Sequence, residues 1–136
     1  HPGAVAILPF HGDELLLVKQ YRYPLEKVTL EIPAGKLDPG EEPLDCAQRE
    51  LREETGYGGT LEYLGQFYTT PGFTDEIIYL YKAVDLHWDP LKADDEEFIH
   101  VVRIPWVKAV EKVLNNEIKD AKTILGILLL WSKEKC

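Results

Sequence analysis

The sequence predicts an α/β domain in which a mixed β-sheet lies between α-helices. Apolar segments of strand length come first, one acidic helical segment stands among them, and two more helical segments end the chain. With 136 residues, of which 45% are apolar, the chain suits one domain with a sizeable core. We therefore expect residues 1–136 to form a single α/β/α domain.

The first third of the chain predicts three strands. Ala4–Pro9 and Glu14–Tyr23 are rich in apolar residues and flank the short turn His11–Asp13, which is typical of a β-hairpin. Val28–Pro33 is expected to be the third strand. A loop at Pro39–Gly40 then separates these strands from the helical segment.

The acidic helix has recognisable ends. Pro43 suits the first turn of a helix, and Gly56 suits the position just after its end, so the helix is expected from Pro43 to about Thr55.

The remaining segments are predicted from their apolar patterns and turn residues. They are, in order, a strand at Thr60–Thr70, a turn at Thr69–Gly72, a strand at Glu76–Val84, an acidic loop at Asp85–Glu97, a strand at Phe98–Ile104, and helices at Trp106–Asn115 and Asp120–Lys135.

Composition excludes several classes of function. The net charge of −9 disfavours a nucleic-acid partner, because phosphate backbones require clustered Lys and Arg. No apolar run approaches the ~20 residues that span a bilayer, so no membrane partner is expected. Cys46 and Cys136 form neither a disulfide framework nor a metal-ligand pattern, and we expect a reducing, cytoplasmic setting.

Three carboxylates crowd one flank of the predicted helix. Glu50, Glu53 and Glu54 have i, i+3, i+4 spacing, so they lie side by side and repel one another. A hard divalent cation removes that repulsion, and oxygen donors without a Cys or His cluster favour Mg²⁺, or Mn²⁺ as a substitute. The alternative is an ordinary solvated face of a Glu-rich helix.

The other faces of the helix have different expected roles. One stripe should face the core and consists of Leu44, Ala47, Leu51 and Thr55. Arg49 and Arg52 are expected on the flank opposite the carboxylates.

The segment from Gly35 to Tyr57 resembles the Nudix box, G-x5-E-x7-R-E-U-x-E-E-x-G-U, in which U is apolar. Every specified position is filled, by Gly35, Glu41, Arg49, Glu50, Leu51, Glu53, Glu54, Gly56 and Tyr57. The resemblance implies the Nudix fold and a loop–helix–loop that holds magnesium against a pyrophosphate. Members of this family hydrolyse a nucleoside diphosphate linked to another moiety.

The resemblance also implies roles for individual residues. Glu50, Glu54 and the backbone carbonyl of Ala34 correspond to metal ligands, and Glu53 corresponds to a further ligand or a base. Arg49 is expected to orient these carboxylates by ion pairing.

Three more positions of the box have implied roles at its ends. Glu41 corresponds to a group at the helix entry, and Gly35 and Gly56 allow the turns on either side of the helix.

A general base is expected downstream of the box. Asp94–Glu97 is the acidic run in the appropriate place, and Glu96 or Glu97 is favoured as the base or as a further metal ligand. The alternative is a solvated acidic loop.

Beyond the box, the chain resembles the ADP-ribose pyrophosphatase branch of the family. The matching segments are His1–Ala6, Val18–Pro24, Leu30–Gly35, Thr69–Glu76 and Asp120–Thr123, and Pro71 lies fifteen residues after Gly56, where this branch has a proline. Members of the branch are homodimers that exchange an N-terminal strand segment, and that segment is expected to be absent ahead of His1. The resemblance therefore implies a homodimer.

The same resemblance suggests substrate contacts. Arg22 corresponds to a phosphate-contacting arginine, and Glu31 could accept hydrogen bonds from adenine or a ribose. The pocket beside the terminal ribose is expected to include Thr70, Gly72, Phe73 and Glu76. Each residue also has a purely structural alternative. Arg22 could be an ordinary strand arginine, and Glu31 could be an exposed strand residue. Pro71 and Gly72 could form a plain turn, and Phe73 could be a core contact.

Together these features predict a magnesium-dependent enzyme that converts ADP-ribose and water to AMP and ribose 5-phosphate. Two alternatives stay open: a pyrophosphatase for another nucleoside diphosphate derivative, such as the nucleotide sugar GDP-mannose, and a non-catalytic module that senses ADP-ribose. Intact box carboxylates favour the enzyme over the sensor.

Overall fold

A computed structural model describes residues 1–91, 98 and 100–135 of the chain. Within this part the strands are β1 (Ala4–His11), β2 (Glu14–Arg22), β3 (Lys27–Glu31), β4 (Ala34–Lys36), β5 (Tyr57–Tyr68), β6 (Ile77–Trp88) and β7 (Val101–Pro105). The helices are α1 (Pro43–Thr55), α2 (Trp106–Leu114) and α3 (Ala121–Lys135). No described helix has the length and apolar character needed to cross a membrane.

The sheet is mixed, as predicted. Its strands follow the order β3-β2-β1-β6-β5, with β4 added beside β1 and β7 beside β2. β1 and β6 run parallel, whereas the other pairs, including the β1–β2 hairpin, are antiparallel. Antiparallel pairs therefore build most of the sheet, and one parallel pair joins β5 and β6 to the other strands.

The central strand β1 supplies side chains to both cores because successive residues point to opposite faces of a strand. Ala6 and Leu8 belong to the core that α2 and α3 cover. Val5 and Ile7 belong to the core that α1 covers, together with Leu51. Helices thus cover both faces of the sheet, which confirms the predicted α/β/α architecture.

Helix α1 begins and ends where the sequence predicts, and Gly56 follows it in the left-handed conformation with φ 81°. Ala47, Leu51 and Thr55 are buried as expected. The expectation for Leu44 is wrong, because its side chain is 49% exposed. Leu44 has the correct angle around the helix but lies in the first turn, ahead of the residues that pack against the sheet.

The predicted loop from Asp85 is also wrong at its start, because β6 continues to Trp88. Tyr57 pairs with Trp88 and Gly58 pairs with His87, so β5 begins earlier and β6 ends later than predicted. Asp85 and His87 are exposed, and their polar side chains therefore suit the outer positions of an irregular strand.

Candidate functional site

The three clustered glutamates of α1 differ in their surroundings. Glu50 is buried, Glu54 is half-buried and Glu53 is exposed. The carboxylate of Glu54 accepts a hydrogen bond from the backbone N–H of Ala34 at 3.3 Å. The side of α1 that faces β4 thus places carboxylates beside the start of that strand.

Gly35 allows this close approach of β4 to α1. A Cβ atom on Gly35 would lie 2.0 Å from Cδ of Glu50, a separation that real atoms do not tolerate. The carboxylate of Glu50 therefore fills the space that any other residue at position 35 would need. Gly35 lies within strand β4 and not in a turn, so the expected reason for this glycine is wrong. Its close contact with Glu50 explains the glycine instead.

Burial and mutual repulsion both oppose ionisation of the inner carboxyls. Burial raises the pKa of Glu54 to about 8, and the negative charge of Glu50 adds to the shift. The pKa of Glu50 is also raised, first by burial and then by the charge of Glu53. The site therefore favours a compensating positive charge.

Arg49 supplies part of that charge. Its guanidinium donates to Glu41 at 2.9 Å, to Glu50 at 2.8 Å and to Glu53 at 3.2 Å. The expectation from spacing that Arg49 points away from the carboxylates is wrong, because its long side chain extends to the carboxylates of Glu50 and Glu53. Arg52 does point away, and its Nε donates to the carbonyl of Asp89 at 2.8 Å.

Glu41 joins the loop before α1 to this network. Its carboxylate accepts the N–H of Asp38 at 2.9 Å in addition to the bonds from Arg49. The hydrogen bonds from Arg49 and Asp38 lower the pKa of Glu41 to about 2. Glu41 is therefore an ionised anchor for Arg49 at the helix entry.

The donor set has the chemistry that a hard divalent cation requires. Glu50 and Glu54 provide carboxylate oxygens, and the backbone of Ala34 contacts Glu54 through its N–H group. In the described part of the chain, no three His, Cys, Asp or Glu side chains converge closely enough to complete a metal site. In this conformation Arg49 donates hydrogen bonds to carboxylate oxygens of Glu50 and Glu53. A cation would compete with Arg49 for these oxygens.

A second network surrounds Glu31, whose side chain is almost fully buried. Arg22 donates to both of its oxygens, through Nε at 2.8 Å and Nη2 at 2.5 Å. Lys122 donates to it at 2.8 Å, and Thr29 also donates to it. Burial opposes ionisation, but these hydrogen bonds outweigh it and hold the pKa of Glu31 at about 2. The alternative of an exposed strand residue is excluded, because Glu31 is 2% exposed.

A cavity of about 470 Å³ opens beside this network and is lined in part by Arg22, Thr29, Glu31 and Asp120. The sequence alone predicts no individual role for Asp120 or Lys122. The similarity of the segment Asp120–Thr123 to the same branch is the signal that could have drawn attention to them.

The turn between β5 and β6 forms a separate cavity of about 630 Å³. Of the four residues predicted for a substrate pocket, Gly72 and Phe73 line it, whereas Thr70 and Glu76 do not. Their contact with a substrate stays a prediction. Phe73 is 92% exposed, so the alternative of a core contact is excluded. Thr69 donates to Glu76 at 2.7 Å, and the backbone carbonyl of Thr70 closes the turn. The predicted bases Glu96 and Glu97 lie outside the described residues.

The fold and the site together define a class of protein: an α/β/α domain that presents helix-borne carboxylates and cationic side chains around open cavities. The NUDIX domain model matches residues 1–125, and the chain therefore belongs to the Nudix family.

Individual relatives agree with this assignment. The chain is 44% identical to an ADP-ribose pyrophosphatase of Bacillus subtilis, and the match covers 98% of this chain and 75% of the relative. It is 43% identical, with the same coverage, to a methanol dehydrogenase activator of Bacillus methanolicus. These similarities confirm the predicted resemblance to the ADP-ribose pyrophosphatase branch, and the protein is a hydrolase of this family.

A solved structure supports the same conclusion about the fold. The crystal structure of an ADP compounds hydrolase superimposes with a TM-score of 0.87 at 28% identity, covering 98% of this chain and 72% of the other. The predicted Nudix fold is therefore confirmed.

Proposed function

We propose that this protein hydrolyses the pyrophosphate of ADP-ribose to AMP and ribose 5-phosphate with the help of a divalent metal ion. The observation that carries the proposal is the position of the Glu50 and Glu54 carboxylates against the start of β4, inside a complete Nudix box. Similarity over almost the whole chain to an ADP-ribose pyrophosphatase supports the choice of substrate.

The metal in this proposal is Mg²⁺, with Mn²⁺ as a substitute. Glu50, Glu54 and the carbonyl of Ala34 would hold it, and Glu53 would provide a further oxygen. When bound, the metal neutralises phosphoryl charge and lowers the pKa of water. Arg49 keeps Glu50 and Glu53 oriented, and Glu41 in turn holds Arg49.

Arg22 is the proposed phosphate contact. Its guanidinium is fixed by two hydrogen bonds to Glu31 while its side chain stays half-exposed. A carboxylate has about four lone-pair sites, and four donors already occupy those of Glu31. We therefore assign Glu31 to holding Arg22 and Lys122 rather than to accepting hydrogen bonds from adenine.

The remaining substrate contacts are proposed from the second cavity and from the branch resemblance. Gly72 and Phe73 line that cavity, and Thr70 and Glu76 belong to the same chain segment. These four residues would surround the terminal ribose, with the carboxylate of Glu76 accepting from its hydroxyls. Glu96 or Glu97 would accept the proton of the attacking water.

We also propose that residues 1–136 form one domain. The protein would work as a homodimer, as the branch resemblance implies. Its cysteine usage favours the cytoplasm.

The test is a substrate panel of ADP-ribose, GDP-mannose, NADH, diadenosine polyphosphates and oxidised dGTP, each with Mg²⁺ and with product identification. AMP formed from ADP-ribose at the highest kcat/KM supports the proposal. A higher kcat/KM for GDP-mannose would establish the nucleotide-sugar alternative instead. Binding of ADP-ribose and Mg²⁺ without any turnover would establish the sensor.

A further inference from the structure

Gln20 lies on the same face of β2 as the proposed phosphate contact. Residues two apart on a strand share a face, so Val18, Gln20 and Arg22 point to one side. The pairing of β2 with β3 places Glu31 opposite Val18 and Thr29 opposite Gln20. The hydrogen bonds of Arg22 and Thr29 to Glu31 confirm that all of these side chains share that face.

This face is turned toward the carboxylates of α1. A cavity of about 270 Å³ separates Gln20 from Glu53 and Glu54, with Val18 and His100 at its walls. Gln20 therefore borders the cavity beside the carboxylates, two residues before Arg22 on the same face of β2.

Lys19 also lines this cavity, but its side chain alternates to the face of β2 opposite that of Gln20. Three other cationic side chains near the two networks are already engaged. Arg22 and Lys122 are bound to Glu31, and Arg49 is bound to Glu50 and Glu53. Gln20 is half-buried, and its backbone carbonyl lies 3.3 Å from the hydroxyl of Thr29. Within residues 1–91, 98 and 100–135, its side-chain amide has no hydrogen-bond partner. An amide that bonds to none of the described residues and borders a cavity beside carboxylates is suited to a ligand.

We propose that the side-chain amide of Gln20 donates a hydrogen bond to a phosphoryl oxygen of the substrate, next to the contact made by Arg22. This inference rests on the proposed function. Two residues of a strand span roughly 7 Å, so Gln20 and Arg22 would bracket a pyrophosphate along its length. A neutral donor also contacts phosphate without forming an ion pair with Glu53 or Glu54, and it leaves those carboxylates free for a cation.

The test compares Gln20→Leu with Gln66→Leu. The leucine keeps much of the glutamine's size but cannot donate, and Gln66 is an exposed glutamine on β5 that undergoes the same change. Gln20→Leu is expected to lower kcat/KM for ADP-ribose by about tenfold, the usual effect of losing one hydrogen bond to a charged group. Gln20→Glu is expected to lower it further, because a third carboxylate would repel the phosphate. Gln66→Leu should match the wild type.

Two further measurements separate a substrate contact from a structural effect. Mn²⁺ affinity in the absence of substrate and the midpoint of thermal unfolding should be unchanged in Gln20→Leu, whereas the affinity for AMP in the presence of the metal should fall. If the wild type is active and Gln20→Leu is equally active, the role of Gln20 is overturned but the proposed function stands. An inactive wild type across the substrate panel would overturn the proposed function, and AMP affinity would still test the contact.

Discussion

The carboxylate of Glu50 occupies the position where a side chain on Gly35 would begin. A Cβ atom at Gly35 would lie within 2.4 Å of all three atoms of the Glu50 carboxyl group. The glycine of the box is therefore a steric requirement of the carboxylate, and the two residues act as a unit.

Gly35→Ala tests this relationship. The methyl group displaces the Glu50 carboxylate, so we expect metal affinity and kcat to fall by on the order of a hundredfold, as for other losses of a positioned catalytic group. Destabilisation of about 1–3 kcal/mol is expected from the overpacking. Gly72→Ala is the matched control, because a Cβ atom there meets no other atom within 4 Å. Since Gly72 belongs to the proposed ribose pocket, this control is compared in metal affinity alone. Unchanged metal affinity in Gly35→Ala would contradict the steric argument.

Glu54→Gln separates activity from stability. Burial makes the charged form of Glu54 unfavourable, so a neutral amide of the same shape should leave the free energy of unfolding equal or higher near pH 8. Turnover should nevertheless fall by on the order of a thousandfold because a metal ligand is lost. The exposed Glu62 on β5 gives the matched control, Glu62→Gln. Substantial activity in Glu54→Gln would show that the metal assignment is wrong.

Metal binding should release a proton from Glu54 below pH 8. Its pKa is raised from 4.5 to about 8, so much of this carboxyl is protonated near neutral pH and a cation must displace the proton. Metal affinity should therefore rise with pH and level off above about 8. Calorimetric titration in buffers of different ionisation enthalpy measures the released protons, and a titration without release at pH 7 would refute this assignment.

The same shift has a consequence for the metal-free protein. A carboxyl whose pKa is raised on folding binds its proton more tightly in the folded than in the unfolded state, so stability is lost as pH rises. We expect the free energy of unfolding to decline between about pH 4.5 and 8, the range set by the two pKa values of Glu54. Denaturant unfolding across this range checks the decline, and Glu54→Gln should reduce it.

Glu31→Gln tests the buried network behind Arg22. The change leaves Arg22 without its anionic partner, whereas Lys122 keeps its ion pair with Asp120. We expect a loss of about 2 kcal/mol, less than for a fully buried pair because Arg22 is half-exposed. KM for ADP-ribose should rise as Arg22 loses its orientation. Glu117→Gln, which removes an exposed pair with Lys112, should cost at most about 0.5 kcal/mol. Equal stability losses in the two variants would contradict the network.

The sequence predicted those features that depend on local signals. Pro43 and Gly56 marked both ends of α1, and spacing along one helix placed Glu50, Glu53 and Glu54 together. The predicted burial of Leu44 was wrong because the angle of a residue around a helix does not show where the helix extends beyond the sheet.

Features that depend on distant partners were not predictable in the same way. Lys122 reaches Glu31 from the start of α3, and Arg49 reaches Glu41 across the loop before α1. Neither contact follows from periodicity, because each depends on how the elements pack. The extension of β6 to Trp88 likewise depends on its pairing with Tyr57.

The most direct test of the central claim is ³¹P NMR of the products formed from ADP-ribose with Mg²⁺ and with excess chelator. Metal-dependent hydrolysis predicts resonances of AMP and ribose 5-phosphate with Mg²⁺, and an unchanged pyrophosphate signal with the chelator. Persistence of the pyrophosphate signal with Mg²⁺, or its cleavage at an equal rate with the chelator, would contradict the account.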